Sequence, residues 1–115
     1  MRTGFLLLAA AICAVASVVS IESQGWFPLP DVGAPKVQQL GRWAVTEHDK
    51  KANDKIKFNR VVGGEETEDP QLAGIKYHLV IDASDGSGQD RKYEAVLAEQ
   101  VWRGRVILIS FNPAT

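Results

Sequence analysis

The chain has 115 residues, with 13 Lys and Arg set against 14 Asp and Glu and 45% apolar residues, the make-up of one ordinary globular domain. A formal net charge of −1 without a basic cluster argues against a nucleic-acid partner, because neutralising phosphates requires concentrated Lys and Arg. The single cysteine, Cys13, lies in the N-terminal apolar run, so the rest of the chain is no disulfide scaffold, thiol enzyme or thiolate metal site.

Met1-Arg2 supplies a small positive start, Phe5 to Val19 is apolar, and Ala14, Ala16 and Ser20 offer small residues for cleavage. The pattern predicts a secretory signal peptide over residues 1–23, cut somewhere between Ala16 and Gln24, and a secreted product with no membrane attachment afterwards. A permanent anchor would need about 20 apolar residues, more than this run holds. Residues 24–115 then form the one mature domain, large enough for a modest core.

Gln24 to Pro35 holds Pro28, Pro30 and Pro35 with Gly25 and Gly33, which excludes helix and predicts an extended, strand-like arm carrying Trp26 and Phe27. Pro35 suits a first helical turn. Beyond it Val37, Leu40, Ala44 and His48 recur at helical spacing with Trp43 widening the stripe, so a helix is expected from about Lys36 to Ala52, closed by Asn53-Asp54.

After Asp54 the period changes to two. A first strand is expected to place Ile56, Phe58 and Val62 on one face and to end at Gly63-Gly64. An acidic connection, Glu65 to Pro70, leads to a second strand from about Leu72 to Ala83, where Ile75, Tyr77, Leu79 and Ile81 alternate with Lys76, His78 and Asp82. Ser84 to Asp90 reads as a turn. Two further strands follow, Arg91 to Val101 with Tyr93, Ala95 and Leu97 on one side, and Arg105 to Phe111 with Ile107, Ile109 and Phe111 on one side. The whole predicts an α+β layer: one N-terminal helix packed on a four-stranded antiparallel sheet, plus a possible short N-terminal strand.

That topology has a geometric consequence. If the strands alternate in direction, the connections at Gly63 to Gln71 and at Val101 to Gly104 share one end of the sheet, and the turn at Ser84 to Asp90 takes the other. With the arm they make a wedge. Trp102 sits at its second tip, and a tryptophan at a hairpin either folds back as core or fills a partner's pocket.

The run Leu40-Gly41-Arg42-Trp43-Ala44-Val45-Thr46-Glu47-His48 resembles the helix signature of the plant cystatins, Leu-Ala-Arg-Phe-Ala-Val-x-Glu-His-Asn, departing at Gly41, Trp43 and Asp49. The resemblance covers nearly the whole mature chain. Pro70-Gln71-Leu72-Ala73-Gly74 stands where that family carries Gln-Val-Val-Ala-Gly, Val101-Trp102 where it carries Pro-Trp, and Gly25 where it has an arm glycine. It implies a cystatin-like fold and a monomeric, reversible, competitive inhibitor of papain-like cysteine proteases, without a cofactor. On that account Gly25 lets the backbone pass the catalytic cysteine, Trp26, Phe27 and Leu29 cover apolar subsites, and Pro70, Gln71, Leu72, Ala73, Gly74, Val101 and Trp102 cover the opposite side. The acidic connection, about three residues longer than the family's hairpin, and the missing proline at Val101 predict weaker inhibition.

Enzyme readings find little support. His48 falls on the helix's apolar stripe and reads as a buried, hydrogen-bonded histidine, while His78 faces away from its strand's apolar side, toward solvent. Two histidines on separate elements make no zinc site, and Ser84, Ser87 and Ser110 lie in no nucleophile elbow. Gly86-Ser87-Gly88 has no following helix or lysine to cradle phosphate. The alternative function is a cystatin-like binding or storage protein without inhibitory activity.

Overall fold

The computed structural model describes residues 25–114; the segment read as a signal peptide, residues 1–23, lies outside the described residues. Along the chain come β1 (Phe27–Pro28), α1 (Pro35–Ala52), β2 (Lys57–Asp69), β3 (Gly74–Ser84), β4 (Asp90–Gln100) and β5 (Arg105–Pro113). The strands form one antiparallel sheet in the order β1-β2-β3-β4-β5.

Helix α1 starts where the prolines stop. Ala34 is extended and offers no side-chain cap, and Pro35 follows at the first helical position, where its missing N–H costs no hydrogen bond. The helix ends at Asn53, which takes the left-handed conformation and donates its N–H to the Asp49 carbonyl at 2.8 Å. Val37, Leu40, Gly41, Ala44 and Val45 form its buried face. They cover a surface made by cross-strand pairs of β3 and β4, Tyr77 with Leu97, Leu79 with Ala95 and Ile81 with Tyr93. Leu79, Ile81 and Leu97 are fully enclosed, each contributing about 1.5–3 kcal/mol.

The first long strand departs from the alternation expected of it. Register shifts occur between Phe58 and Arg60 and between Val61 and Gly63. Each inserted residue turns the side chains that follow onto the other face. Val61 is therefore the core residue at 3% exposure, and Val62, expected inside, is 39% exposed. Gln38 holds the bulge to the helix: its Oε1 accepts the Val61 N–H at 2.9 Å, and its Nε2 donates to the carbonyls of Val61 at 3.2 Å and Val32 at 2.8 Å. Against this bulge lies Gly41, where a Cβ would collide with Val61 Cγ2 and stand 3.0 Å from Phe58 Cε1. That crowding explains glycine at a position where alanine was expected.

The acidic connection is corrected too. Residues 65–69 are strand rather than loop, pairing Glu65 with His78, Glu66 with Tyr77, Thr67 with Lys76, Glu68 with Ile75 and Asp69 with Gly74. Cross-strand polar partners offset the low strand preference of carboxylates: Glu65 is within hydrogen-bond reach of His78 Nδ1 at 3.4 Å, and Asp69 lies 3.4 Å from the Lys76 ammonium. Only Pro70 to Ala73 remain as the turn.

Candidate functional site

The arm runs toward one end of the sheet because β1 pairs antiparallel with β2, Phe27 opposite Glu66 and Pro28 opposite Glu65. Gly25 thereby reaches a shallow depression bounded by Phe27, Glu66, Thr67, Glu68 and Ile75. Phe27 is exposed, while Trp26 is half-buried, its indole edge-on to the His78 ring with centroids 6.3 Å apart. Leu29 was expected to face outward; at 9% exposure it belongs to the core instead, its N–H donated to the Gly64 carbonyl at 3.2 Å.

The first hairpin turns at Pro70 to Ala73. Leu72 N–H donates to the Asp69 carbonyl and Ala73 N–H to the Pro70 carbonyl, both at 3.2 Å. Asp69 Oδ1 accepts from the backbone N–H groups of Gln71 and Leu72 at 3.1 and 3.3 Å, an Asx-type turn. The chain leaves through Ala73 at φ 53°, a left-handed conformation that disfavours any residue with a Cβ. Gly74 comes next and packs directly on the end of β4, where a Cβ would strike the Glu99 carbonyl oxygen.

The second hairpin is a single 3-10 turn, Val101 to Arg103, closed by Gly104 at φ 61° with its N–H on the Val101 carbonyl at 3.1 Å. Trp102 is 68% exposed and Val101 is also exposed. The indole N–H donates to the Ala73 carbonyl at 3.1 Å, and the Arg103 guanidinium stands 5.3 Å from the centre of the Trp102 ring. Buried Gln100 donates from Nε2 to the Leu72 carbonyl at 2.6 Å. Both hairpins border a second depression that includes Glu68 and Ile75, shared with the arm's depression. Gly25, Pro70 to Gly74, Val101 and Trp102 are therefore brought to one continuous edge.

Beneath that edge, Lys36 Nζ meets Glu99 at 2.8 Å, and the Tyr77 hydroxyl donates to the same carboxylate at 3.5 Å. The hydrogen bond to Glu99 raises the pKa of Lys36, and burial raises that of Tyr77. At the far end of the sheet, Asp85 accepts from Ser87 Oγ at 2.7 Å and from the backbone N–H groups of Ser87 and Gln89, which lowers its pKa.

His48 bonds Asp54 at 2.8 Å and stacks on Phe111 with centroids 4.3 Å apart, hydrogen-bonded as expected though with 21% of its side chain exposed. His78 is not simply solvated: its Nε2 lies 2.8 Å from Glu94. Among the described residues no group of three His, Cys, Asp or Glu side chains gathers as a metal site. Gln100 and Arg103 are contributors to the edge that sequence reasoning missed. Alternation placed Gln100 on the face opposite Tyr93, Ala95 and Leu97, so the linear pattern carried no signal for its burial.

One helix across an antiparallel sheet, with an arm and two hairpins at a single end, defines a small protein of the cystatin fold built to present an edge. A salivary cystatin from the soft tick Ornithodoros moubata superposes with a TM-score of 0.66 at 16% identity, covering 79% of this chain and 97% of that one. A family profile described as "Aspartic acid proteinase inhibitor" matches residues 29–114. Cysteine proteinase inhibitors 8 and 6 of Oryza sativa subsp. japonica are each 40% identical to this chain, covering 95% and 92% of it and 90% and 89% of their own lengths. Cysteine proteinase inhibitor 5 of Arabidopsis thaliana is 36% identical over 78% of this chain and 71% of its own. The chain belongs to the plant cystatin family, named for proteinase inhibition, and is not an enzyme.

Proposed function

We propose that this protein is a secreted, monomeric, reversible inhibitor of papain-like cysteine proteases that competes with substrate by filling the active-site cleft. The supporting observation is the exposed indole of Trp102, hydrogen-bonded to the Ala73 carbonyl and sharing one edge with Gly25. A large apolar side chain held out in water by a fixed turn suits a partner's pocket, and tryptophan at such a position commonly contributes about 2 kcal/mol or more to binding.

Gly25 passes the catalytic cysteine without a side chain to collide, and Trp26 follows on the arm. Pro70 to Gly74, Val101 and Trp102 cover the other wall. No scissile bond is offered, so the block is non-covalent and needs no cofactor. The acidic stretch costs less affinity than its sequence suggests, because Glu65 to Asp69 are already ordered as strand and need no further ordering on binding.

The test is titration of the purified protein against papain with a fluorogenic substrate, repeated with Gly25→Glu and Trp102→Ala. Competitive inhibition that weakens at least about 30-fold in Trp102→Ala, and comparably in Gly25→Glu, supports the wedge. No inhibition by the unmodified protein at micromolar concentration favours a non-inhibitory binding or storage role. Pepsin belongs in the same panel, because the matching family description names aspartic acid proteinases; inhibition of pepsin alone would move the target to that class.

A further inference from the structure

The two hairpin tips are joined by side chains from one of them, and both donated hydrogens land on adjacent carbonyls of the other. Gln100 Nε2 donates to the Leu72 carbonyl at 2.6 Å and the Trp102 indole N–H to the Ala73 carbonyl at 3.1 Å. These are the carbonyls at the strained corner, where Ala73 sits at φ 53° just before Gly74. Gln100 is buried and Trp102 is exposed, so only the first bond is shielded from water. The backbone before Gln100 is itself held by Glu99, whose carboxylate takes Lys36 at 2.8 Å and the Tyr77 hydroxyl at 3.5 Å.

We propose that Gln100 is a positioning residue: its amide braces the Pro70 to Gly74 hairpin against the Val101 to Gly104 turn, so that the two tips form one preformed surface before any protease arrives. The consequence for affinity rests on the inhibitory reading above; the brace itself is a property of the free protein. It supplies rigidity that Val101, standing where a proline was expected, does not. A tip already in its bound shape loses less conformational entropy on docking. The Trp102 indole is the second strut, and Arg103 over its ring limits the rotamers left to it.

The experiment uses the full protein with Gln100→Met, which keeps the length and removes the donor, and Gln100→Lys, which returns one. Backbone order parameters of Leu72 and Ala73 in the free protein are expected to fall from about 0.85 toward about 0.6 in Gln100→Met while residues 77–97 stay unchanged. Papain inhibition is expected to weaken about five- to tenfold, the worth of one hydrogen bond. Gln100→Lys is expected to restore both. Should Gln100→Met fail to fold, Gln100→Glu, which keeps the size and turns the donor into an acceptor facing the Leu72 carbonyl, gives the same relaxation readout. Unchanged order parameters in Gln100→Met, or no recovery in Gln100→Lys, overturn the brace. If the unmodified protein inhibits no cysteine protease, the inhibitory reading fails while the relaxation comparison still decides the brace.

Discussion

Replacing Gly74 by alanine tests the join between the two hairpins at its tightest point. The added Cβ would strike the Glu99 carbonyl oxygen and stand 3.0 Å from its carbon and 3.3 Å from Gln100 Cα. All three are backbone atoms, so no side-chain rotation relieves the contact and the end of β4 must move away from β3. Overpacking of this kind costs about 1–3 kcal/mol. The movement also stretches the bonds from Gln100 and Trp102 to the Leu72 and Ala73 carbonyls, each worth about 1 kcal/mol. A net loss of about 2–3 kcal/mol is expected, which lowers Tm by about 10–20 °C in a domain of this size. With the tips parted, papain inhibition is expected to weaken about 30-fold, some 2 kcal/mol. Urea unfolding followed by tryptophan fluorescence and a fluorogenic papain assay read the two effects. Gly33→Ala is the control: its Cβ meets only Asp31 Oδ1 at 3.6 Å, so stability should hold within about 0.5 kcal/mol. The reasoning is refuted if Gly74→Ala matches that control in stability and inhibition.

Gly41→Ala should gain about 1 kcal/mol of helix preference yet lose more by pressing on Val61 and Phe58, for a net cost near 1 kcal/mol. Urea unfolding checks it, and in a double-mutant cycle Val61→Ala should remove most of the penalty. Ala73→Gly, which relieves the left-handed conformation at φ 53°, is expected to stabilise by about 0.5–1 kcal/mol, seen as a Tm a few degrees higher. Alkaline pH should destabilise the fold. The folded pKa values of Lys36, Tyr77 and Tyr93 are all raised, so above about pH 10 the native state holds protons that the unfolded chain has released, and stability falls as pH rises through the folded values. Tyr77→Phe should make that decline shallower in urea titrations between pH 8 and 11; an unchanged slope would discard its role.

Much of this architecture is written in local pattern. The stripe Val37, Leu40 and Ala44 could bury one helix face only, and the alternation of Tyr77, Leu79 and Ile81 only one strand face, because helical and extended backbones impose those periods on any chain. The helix signature and the motif residues Gly25, Ala73, Gly74 and Trp102 pointed to the family by the same linear reading. Tertiary structure decided the rest. Val61 rather than Val62 faces the core because Gln38, 23 residues earlier, grips the bulge. Glu65 to Asp69 became strand because β3 supplied His78 and Lys76 opposite them. The two tips share an end because the strands alternate in direction, which the pattern implied, but the bonds from Gln100 and Trp102 to carbonyls 28 and 29 residues away were not legible in it. Hydrogen bonds and charge pairs between distant residues depend on which strands meet and in what register, and local periodicity carries no record of that.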